Sequence, residues 1–219
     1  MRSLLLSVLA VSLSPGLASA QDTSLESLQR RVVGHWQSIA CELRPQQNAA
    51  DPTLVPTPSY LTRDFTYDAK GGFQANITVY ADPACSMPAA SYDIAGEIVW
   101  HDANPAAPGA WSLDYVLNRK LELTILAGPM AKQLNQMPEG TCGTGPFVVD
   151  KKRDILGQPC ALLKFVEGSA FVIDHDFLYV REDVPNMLFM GAKHVDGTGF
   201  YQPANRPTVG FQQPMIKVN

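Results

Sequence analysis

The sequence predicts an all-β protein, an antiparallel barrel or half-barrel with a short N-terminal helix and one short internal helix. Apolar and polar residues alternate along several short segments, which is the period of a strand with one buried face. Clusters of Gly, Pro, Asn and Asp separate these segments at short intervals, as in sandwiches and barrels. Four cysteines follow an N-terminal export signal, which favours a disulfide-bonded exported domain.

The export signal occupies residues 1–20. Arg2 supplies a positive charge, Leu4–Leu13 form an apolar run, and Ala18-Ser19-Ala20 precede an expected cleavage before Gln21. We therefore expect a secreted or periplasmic protein. The apolar run is shorter than the about 20 residues that span a bilayer, and no later segment reaches that length, so we expect no transmembrane segment.

Composition limits the remaining possibilities. Residues 21–32 are expected to form an N-terminal helix or extension, and residues 33–219 a single β domain, a length that all-β domains use as one unit. The formal net charge of -4 argues against a nucleic-acid partner, because such partners select clustered Lys and Arg.

The N-terminal helix is predicted from Ser24 to Arg31. Thr23 and Glu26 have the spacing of a capping box. Three apolar residues then fall on one helical face, Leu25, Leu28 and Val32. We expect this face to pack on the main body. The proline-containing segment Gln46–Ser59 is predicted to be an irregular loop.

The strongest strands come next. Tyr60–Tyr67 alternates, with Leu61, Arg63 and Phe65 on one face, and Phe73–Ala81 returns along it. Between them, Asp68–Gly72 is predicted to be a hairpin turn, because glycine adopts positive φ without a steric penalty.

Further strands are expected on both sides of one short helix. Tyr92–Trp100 is a strand with Gly96 as a bulge or bend. Asn118–Lys120 is predicted to turn a hairpin between two strands. The remaining predicted elements are the strands Trp111–Leu117, Leu121–Leu126, Cys160–Val166, Phe177–Arg181 and Met187–Gly191, and a helix over Met130–Gln136.

The cysteines allow three connectivities, and sequence alone does not choose between them. We favour the arrangement without nesting, Cys41–Cys85 and Cys142–Cys160. Zinc is not expected, because the chain has no Cys-x-x-Cys and no His a few residues from a cysteine. We expect neither a metal nor a cofactor.

Five segments together resemble one family. They are GHWQSIACELRP, SYLTRDFTYD, FQANITVYADPACSMPAASYDIAGEIVW, TCGTGPFVVDKKRDILGQPC and MLFMGAKHVDGTGFYQPANRPTVGFQQPM, between about Val33 and Met215. They are similar to the domain of the adenomatosis polyposis coli down-regulated (APCDD) family, which contains secreted and membrane-tethered antagonists of Wnt signalling. The motif residues are Gly34, His35, Trp36, Cys41, Glu42, Arg44, Pro45, Arg63, Asp82, Pro83, Cys85 and His194.

The resemblance implies a barrel of lipocalin-like character whose apolar pocket accommodates lipid. The animal members carry two such domains in tandem around a shared pocket and are thought to capture the lipid attached to Wnt. The resemblance therefore implies a lipid or acylated ligand. This sequence shows one such domain and no C-terminal anchor, and the missing second domain leads to the hypothesis of a homodimer that completes the pocket.

The candidate pocket wall consists of the large apolar residues of the predicted strands. These are Trp36, Phe65, Phe73, Ile77, Val79, Ile94, Ile98, Trp100, Leu123 and Phe165. Plain core packing is the alternative for each of them, since inward residues of small barrels usually fill space.

Trp36 is expected to pack at the base of the barrel and to hold the N-terminal helix, with Arg63 or Arg44 over its ring. Glu42 and Arg44 are expected to pair with Arg63 and Asp64 as structural ion pairs; the alternatives are that they orient Trp36 or contact a ligand.

Enzyme motifs are weak. The chain has no Gly-x-Ser-x-Gly elbow and no phosphate-binding loop, and we assign no catalytic residue. Asp174-His175-Asp176 resembles an acid–base cluster, but on a strand His175 would point away from both carboxylates. His194 beside Asp196 is a further His–carboxylate pair. The predicted function is binding of a lipid or another apolar ligand; the alternatives are a protein-interaction module with a solid core and a hydrolytic enzyme.

Overall fold

The computed structural model describes residues 22–46, 57–143, 145–160, 171–181, 184, 186–193 and 201–218. These residues contain ten strands and two α-helices, which confirms the all-β prediction. The strands are β1 Gly34–Ser38, β2 Glu42–Gln46, β3 Thr57–Tyr67, β4 Gly72–Tyr80, β5 Pro88–Ala103, β6 Trp111–Ile125, β7 Lys152–Asp154, β8 Val172–Val180, β9 Met187–Met190 and β10 Met215–Val218. The helices are α1 Leu25–Val32 and α2 Gly128–Leu134, and a 3-10 turn covers Pro203–Asn205.

The sheet curls into a ring. Its strands follow the order β1-β10-β9-β8-β6-β5-β4-β3, and β1 also pairs with β3, so the series returns to its start. Every pairing between named strands is antiparallel. Where the ring closes, each strand has a neighbour on both sides and no edge is exposed.

The two ends of this ring differ because β3 and β6 each change partner along their length. The second half of β3 pairs with β1 and its first half with β2. The first half of β6 pairs with β8 and its second half with the short β7. We call the end built through β1 and β8 the closed end. We call the other, where β2 and β7 each have one strand partner in the described part of the chain, the open end.

Helix α1 forms one residue later than predicted. Its N-cap is Ser24, whose hydroxyl accepts a hydrogen bond from the Ser27 N–H at 3.2 Å. The predicted capping role of Thr23 is therefore wrong; its carbonyl accepts instead from the Trp111 indole at 3.0 Å. Leu28 and Val32 are buried, as the helical periodicity predicts.

The turn between β3 and β4 is confirmed. The Asp68 carboxylate accepts from the N–H groups of Lys70 and Gly72 at 2.7 and 2.9 Å. Gly71 has φ +82, which a residue with a Cβ rarely adopts.

The predicted hairpin at Asn118–Lys120 is wrong, because β6 runs unbroken through it. These three residues are exposed on the strand. The irregularity lies on β5, where the register shifts around Gly96, as predicted for that glycine. A Cβ there would lie 1.9 Å from the Val116 carbonyl oxygen, so only glycine fits. Glu97 then accepts from Asn118 at 3.1 Å.

The other elements fall near their predicted positions, with shifted ends. Helix α2 begins two residues before Met130, β8 begins at Val172 rather than Phe177, and β3 takes residues 57–59 from the predicted loop. The rest of that loop, residues 47–56, and most of the predicted strand Cys160–Val166 lie outside the described residues.

Candidate functional site in the barrel interior

The closed end is filled by aromatic side chains. Phe65, Tyr67, Phe73 and Tyr115 contact one another, with centroids of Phe73 and Tyr115 4.8 Å apart. The two tyrosine hydroxyls share a hydrogen bond of 2.7 Å, so both buried polar groups are satisfied. Burial raises the pKa of both phenols well above its usual value, and they stay neutral.

Trp36 seals this end, as predicted. It is buried, and its indole N–H donates to the Val32 carbonyl at 2.7 Å, which ties α1 to the barrel. The cation over its ring is Lys217, with Nζ 5.2 Å from the centroid. The prediction of Arg63 or Arg44 at this position is therefore wrong.

A buried ion pair lies inside the barrel. Arg63 Nε donates to the Glu42 carboxylate at 2.7 Å, and both side chains are 2% exposed. The Ser38 hydroxyl donates to the same carboxylate at 2.5 Å, and Arg63 Nη2 donates to the Gln213 carbonyl at 2.5 Å. Both charges are thus compensated, which burial requires. The predicted pairing of Glu42 with Arg63 is confirmed.

Three more charged groups face the interior from another part of the wall. Lys193 Nζ lies 2.6 Å from Asp174 and 2.8 Å from Asp176. Asp176 also accepts from the Gly191 N–H at 2.8 Å. Burial, with the neighbouring Asp176, raises the pKa of Asp174 to about 6 although Lys193 opposes this. Burial opposes the charge of Lys193, but the two carboxylates outweigh it and raise its pKa.

Arg44 lies near both groups of charges but pairs with neither. It follows Glu42 by two residues on β2, so both side chains lie on the same face of the strand, while Leu43 between them is exposed. Its guanidinium donates to the Gln212 side-chain oxygen. Burial, together with the charge of Arg63, lowers its pKa to about 10. The predicted partner Asp64 is wrong: that residue pairs with His35 at 2.7 Å.

Apolar residues cover the inner face of the open end. Ile77 on β4 lies opposite Arg63 and Tyr92, and Ile94 lies opposite Leu121. The register places Ile77, Val79 and Ile94 on the same face of the sheet as the buried Phe73 and Ala75. Those three residues are nevertheless only partly buried. The inner face at this end is therefore mixed, because Leu61, Leu123 and Ile125 are buried there.

A separate cleft of about 330 Å³ lies at the closed end, between α1 and the β3–β4 turn. Trp100 and Ile98, both candidates for the pocket wall, contribute to its lining. Its size is at the lower limit of small-molecule sites, and its walls are half polar. The lining residues are Gln29, Val32, Tyr67, Asp68, Ala69, Lys70, Gly71, Ile98 and Trp100.

Comparison with known families decides the relationship of this chain. The family model described as adenomatosis polyposis coli down-regulated 1 matches residues 17–159. The chain belongs to this family. No curated protein matches it at a significant level.

The APCDD motif residues surround the break between β1 and β2. Gly34 opens β1 with φ +131, and a Cβ there would lie 2.5 Å from Lys217 Cε. Cys41 is the last residue of the break and bonds Cys85 in the β4–β5 loop; the second predicted disulfide, Cys142–Cys160, is also present. The motif residues therefore lie where the chain passes from β1 at the closed end to β2 at the open end.

The Asp-Pro-x-Cys part of the APCDD motif builds the loop that carries the disulfide. The Asp82 carboxylate accepts N–H groups of Ala84, Ser86 and Met87 at 3.2, 3.0 and 2.7 Å. Pro83 lies exposed at the tip. Pro45 lies in β2, and His194 is outside the described residues.

The candidate wall residues of this APCDD domain divide into groups. Trp36, Phe65, Phe73 and Leu123 are buried in the core. Ile77, Val79 and Ile94 are partly buried on the inner face of the open end, and Ile98 and Trp100 line the cleft beside α1. Phe165 lies outside the described residues.

Sequence reasoning missed the inward charges of β8. It placed Asp174 and Asp176 on one face and His175 on the other, and that geometry is confirmed. The partner Lys193 lies just after β9, the strand that pairs with β8, and had no local signal in the sequence around β8. One sequence signal could have indicated these inward charges. Asp174 and Asp176 share a strand face with Val172 and Leu178, which are apolar and buried.

His175 has partners on the outer face of the APCDD domain. Its Nδ1 lies 2.5 Å from Asp114, which also contacts His101 at 2.8 Å and Arg206 Nη2 at 2.6 Å. The Asp174-His175-Asp176 triplet therefore does not converge into a hydrolytic site. Partial burial opposes ionisation of Asp114, but its three partners outweigh it and lower its pKa.

Neither a metal site nor a spanning helix is found within the described ranges. No three His, Cys, Asp or Glu side chains there are grouped as metal ligands. None of the helices in those ranges is long and apolar enough to cross a bilayer.

Proposed function

We propose that this chain is an exported lipid-binding protein that takes an acyl chain into the open end of its barrel. The observation that carries the proposal is the partial exposure of Ile77, Val79 and Ile94, which lie on the inward face of the sheet. Inward apolar residues that solvent still reaches are the usual lining of a ligand site.

The contrast with the closed end supports this proposal. There the same face of the same strand is sealed, with Phe73 4% exposed. An acyl chain entering from the open end would meet apolar walls at its sides and the charged groups of Arg63 and Asp174 deeper inside. Membership of the APCDD family supports a domain like that of its Wnt antagonists, and an acylated protein is then one source of the lipid.

Localisation belongs to the same proposal. Two disulfides persist in an oxidising compartment, so a secreted or periplasmic location suits them. Removal of the expected signal peptide before Gln21 would be visible as the N-terminus of the exported protein by mass spectrometry.

The direct test is displacement of a fluorescent fatty acid by unlabelled acyl ligands, with lipid extraction of the purified protein beside it. Ile77→Trp fills the open end and is expected to weaken binding at least about tenfold, the loss of about 1.4 kcal/mol. Gln74→Trp, on the exposed face of the same strand, is the matched control and should bind normally. Absence of binding by the unaltered protein, or equal binding by both variants, would overturn the proposal.

A second candidate is an interaction surface on the rim of the open end. Leu43 and Met87 are 60% and 59% exposed, near Cys41–Cys85. Exposed apolar residues close together mark contact surfaces, and a second copy of the chain is the partner that would enlarge the lipid site. Light scattering tests this: a dimer should become monomeric in Leu43→Glu, and a monomer at high concentration would exclude it.

A further inference from the structure

We propose that the barrel selects a lipid with a free carboxylate, and that Arg44 is the residue that binds this carboxylate. The inference rests on the proposed lipid binding and adds the chemistry of the ligand's polar end. It follows from how the charges in the interior are paired, from where Arg44 lies, and from which groups surround it.

The interior charges are balanced in number but not in contacts. Glu42 is bound by Arg63 and by Ser38, and Asp174 and Asp176 are both bound by Lys193. Each of the three carboxylates is therefore already engaged by another cation or donor. Among the described residues, no carboxylate oxygen lies within 4.0 Å of an Arg44 nitrogen, which is the distance limit for an ion pair.

Arg44 retains unused donors. A guanidinium has five N–H groups, and the Gln212 oxygen takes one of them. Gln212 is itself held in place, since its amide donates to the Gly191 carbonyl at 2.5 Å. Among the described residues this half-buried guanidinium has one neutral partner, and its remaining N–H groups match the two oxygens of a carboxylate.

The position of Arg44 suits the end of an acyl chain. On β2, Arg44 lies opposite Ser59 of β3, and Glu42, two residues earlier, lies opposite Leu61. Leu61 in turn lies opposite Val79 of β4. Arg44 is thus on the open-end side of the buried ion pair. Its strand lies about 10 Å from β4, two strand spacings away. A chain lying on Val79 and Ile77 would place its polar end within reach of this side chain.

An ester would not use this site as a free acid does. A ligand carboxylate would contact Arg44 directly, as no carboxylate of the described residues does, whereas an ester or an alcohol offers no charge to a partly desolvated cation. The same guanidinium would also attract a phosphate, so a lipid phosphate is the other source of a suitable anion. The planar two-oxygen match and the single arginine favour the carboxylate.

The test compares palmitate, methyl palmitate and hexadecyl phosphate as competitors of one fluorescent acyl probe. The unaltered protein should bind palmitate at least about tenfold more tightly than the methyl ester, since a charge-assisted hydrogen bond contributes about 1.5–3 kcal/mol. Arg44→Gln should lose this preference while binding the methyl ester unchanged. Arg44→Lys should keep part of it, and Arg119→Gln, on the outer face, should keep all of it.

The outcomes separate this inference from the proposed function. Equal affinity of the unaltered protein for acid and ester, or a preference that survives in Arg44→Gln, overturns the carboxylate site and leaves lipid binding standing. Tighter binding of hexadecyl phosphate than of palmitate overturns the carboxylate assignment. Binding of none of the three competitors overturns both proposals. Binding of methyl palmitate by Arg44→Gln shows that the variant is folded.

Discussion

The closed and open ends of this barrel use the same strands but different chemistry. At the closed end, alternate residues of β3 and β4 bring Phe65, Tyr67 and Phe73 into a packed aromatic cluster. At the open end, the same faces carry Arg63 and the partly exposed Ile77. Apolar burial stabilises both ends, and the open end also contains ion pairs and disulfides. A barrel that is solid at one end gives the other end the rigidity to hold an accessible site.

The largest expected effect is at the buried ion pair between these ends. Glu42→Gln leaves the Arg63 guanidinium without a negative partner, which should lower the free energy of unfolding by about 3–5 kcal/mol. Glu97→Gln is the matched control, because Glu97 lies 3.7 Å from Arg119 and both side chains are about half exposed. Its loss should be below about 1 kcal/mol. Urea denaturation measures both, and similar losses would show that the interior pair is not desolvated.

Two truncations on one face of β4 test the difference between the closed and the open end. Phe73→Ala opens a cavity in the sealed cluster and should lower the free energy of unfolding by about 3–5 kcal/mol. Ile77→Ala removes a side chain that solvent already reaches, so the loss should be about 1 kcal/mol. A loss of about 3 kcal/mol or more in Ile77→Ala would mean that the open end is as tightly packed as the closed end. That result would contradict the proposed lipid site.

The disulfide Cys142–Cys160 should stabilise one end selectively. It belongs to the segment after α2, whose Ile155 and Leu134 join the apolar cluster with Leu123. Replacing both cysteines by Ala should lower the free energy of unfolding by about 3 kcal/mol in the chain-entropy model. Amide hydrogen exchange should speed up in the second half of β6 and not in β1. Equal acceleration in both strands would indicate one cooperative unit without separate ends.

Local patterns in the sequence predict most of the strands and their faces. The alternation of Leu61, Arg63 and Phe65, the Asp68–Gly72 turn and both disulfides are all found. The alternation and the turn depend on neighbours in sequence, whereas Cys41 and Cys85 are 44 residues apart and their pairing was one of three open connectivities. Ring closure depends on β1 pairing with β10, which are separated by almost the whole chain, and no local pattern carries that information.

The error at Asn118–Lys120 has a physical cause. Three polar residues between apolar runs are typical of a turn, but they also suit an exposed stretch of a continuous strand. The irregularity lies instead on the neighbouring strand, where Gly96 lets the backbone of β5 approach Val116 closely while β6 continues. In the candidate site, likewise, Phe73 and Ile77 have the same pattern, and only the partner strands determine which of them is sealed.

An effect smaller than that of the disulfide is expected for the dependence of stability on pH at Asp174. Its pKa in the folded protein is raised from 3.8 to about 6, so the folded state binds this proton more tightly than the unfolded state. Stability from this group is therefore present below the unfolded pKa and is lost as pH rises through about 6. Asp114, whose pKa is lowered, acts in the opposite direction and loses its contribution only in acid.

The variant Asp174→Asn isolates this contribution. Because the amide does not titrate, the unaltered protein should lose about 2 kcal/mol relative to the variant between about pH 4 and pH 7, on top of any constant offset. Asp102→Asn, at an exposed site, should leave the pH profile unchanged. Urea denaturation across this range gives both differences. A constant offset for Asp174→Asn would mean that the charge of Lys193 fully offsets the effect of burial on Asp174. The interior carboxylates would then all be paired, and Arg44 would be the charged group that is available to a ligand.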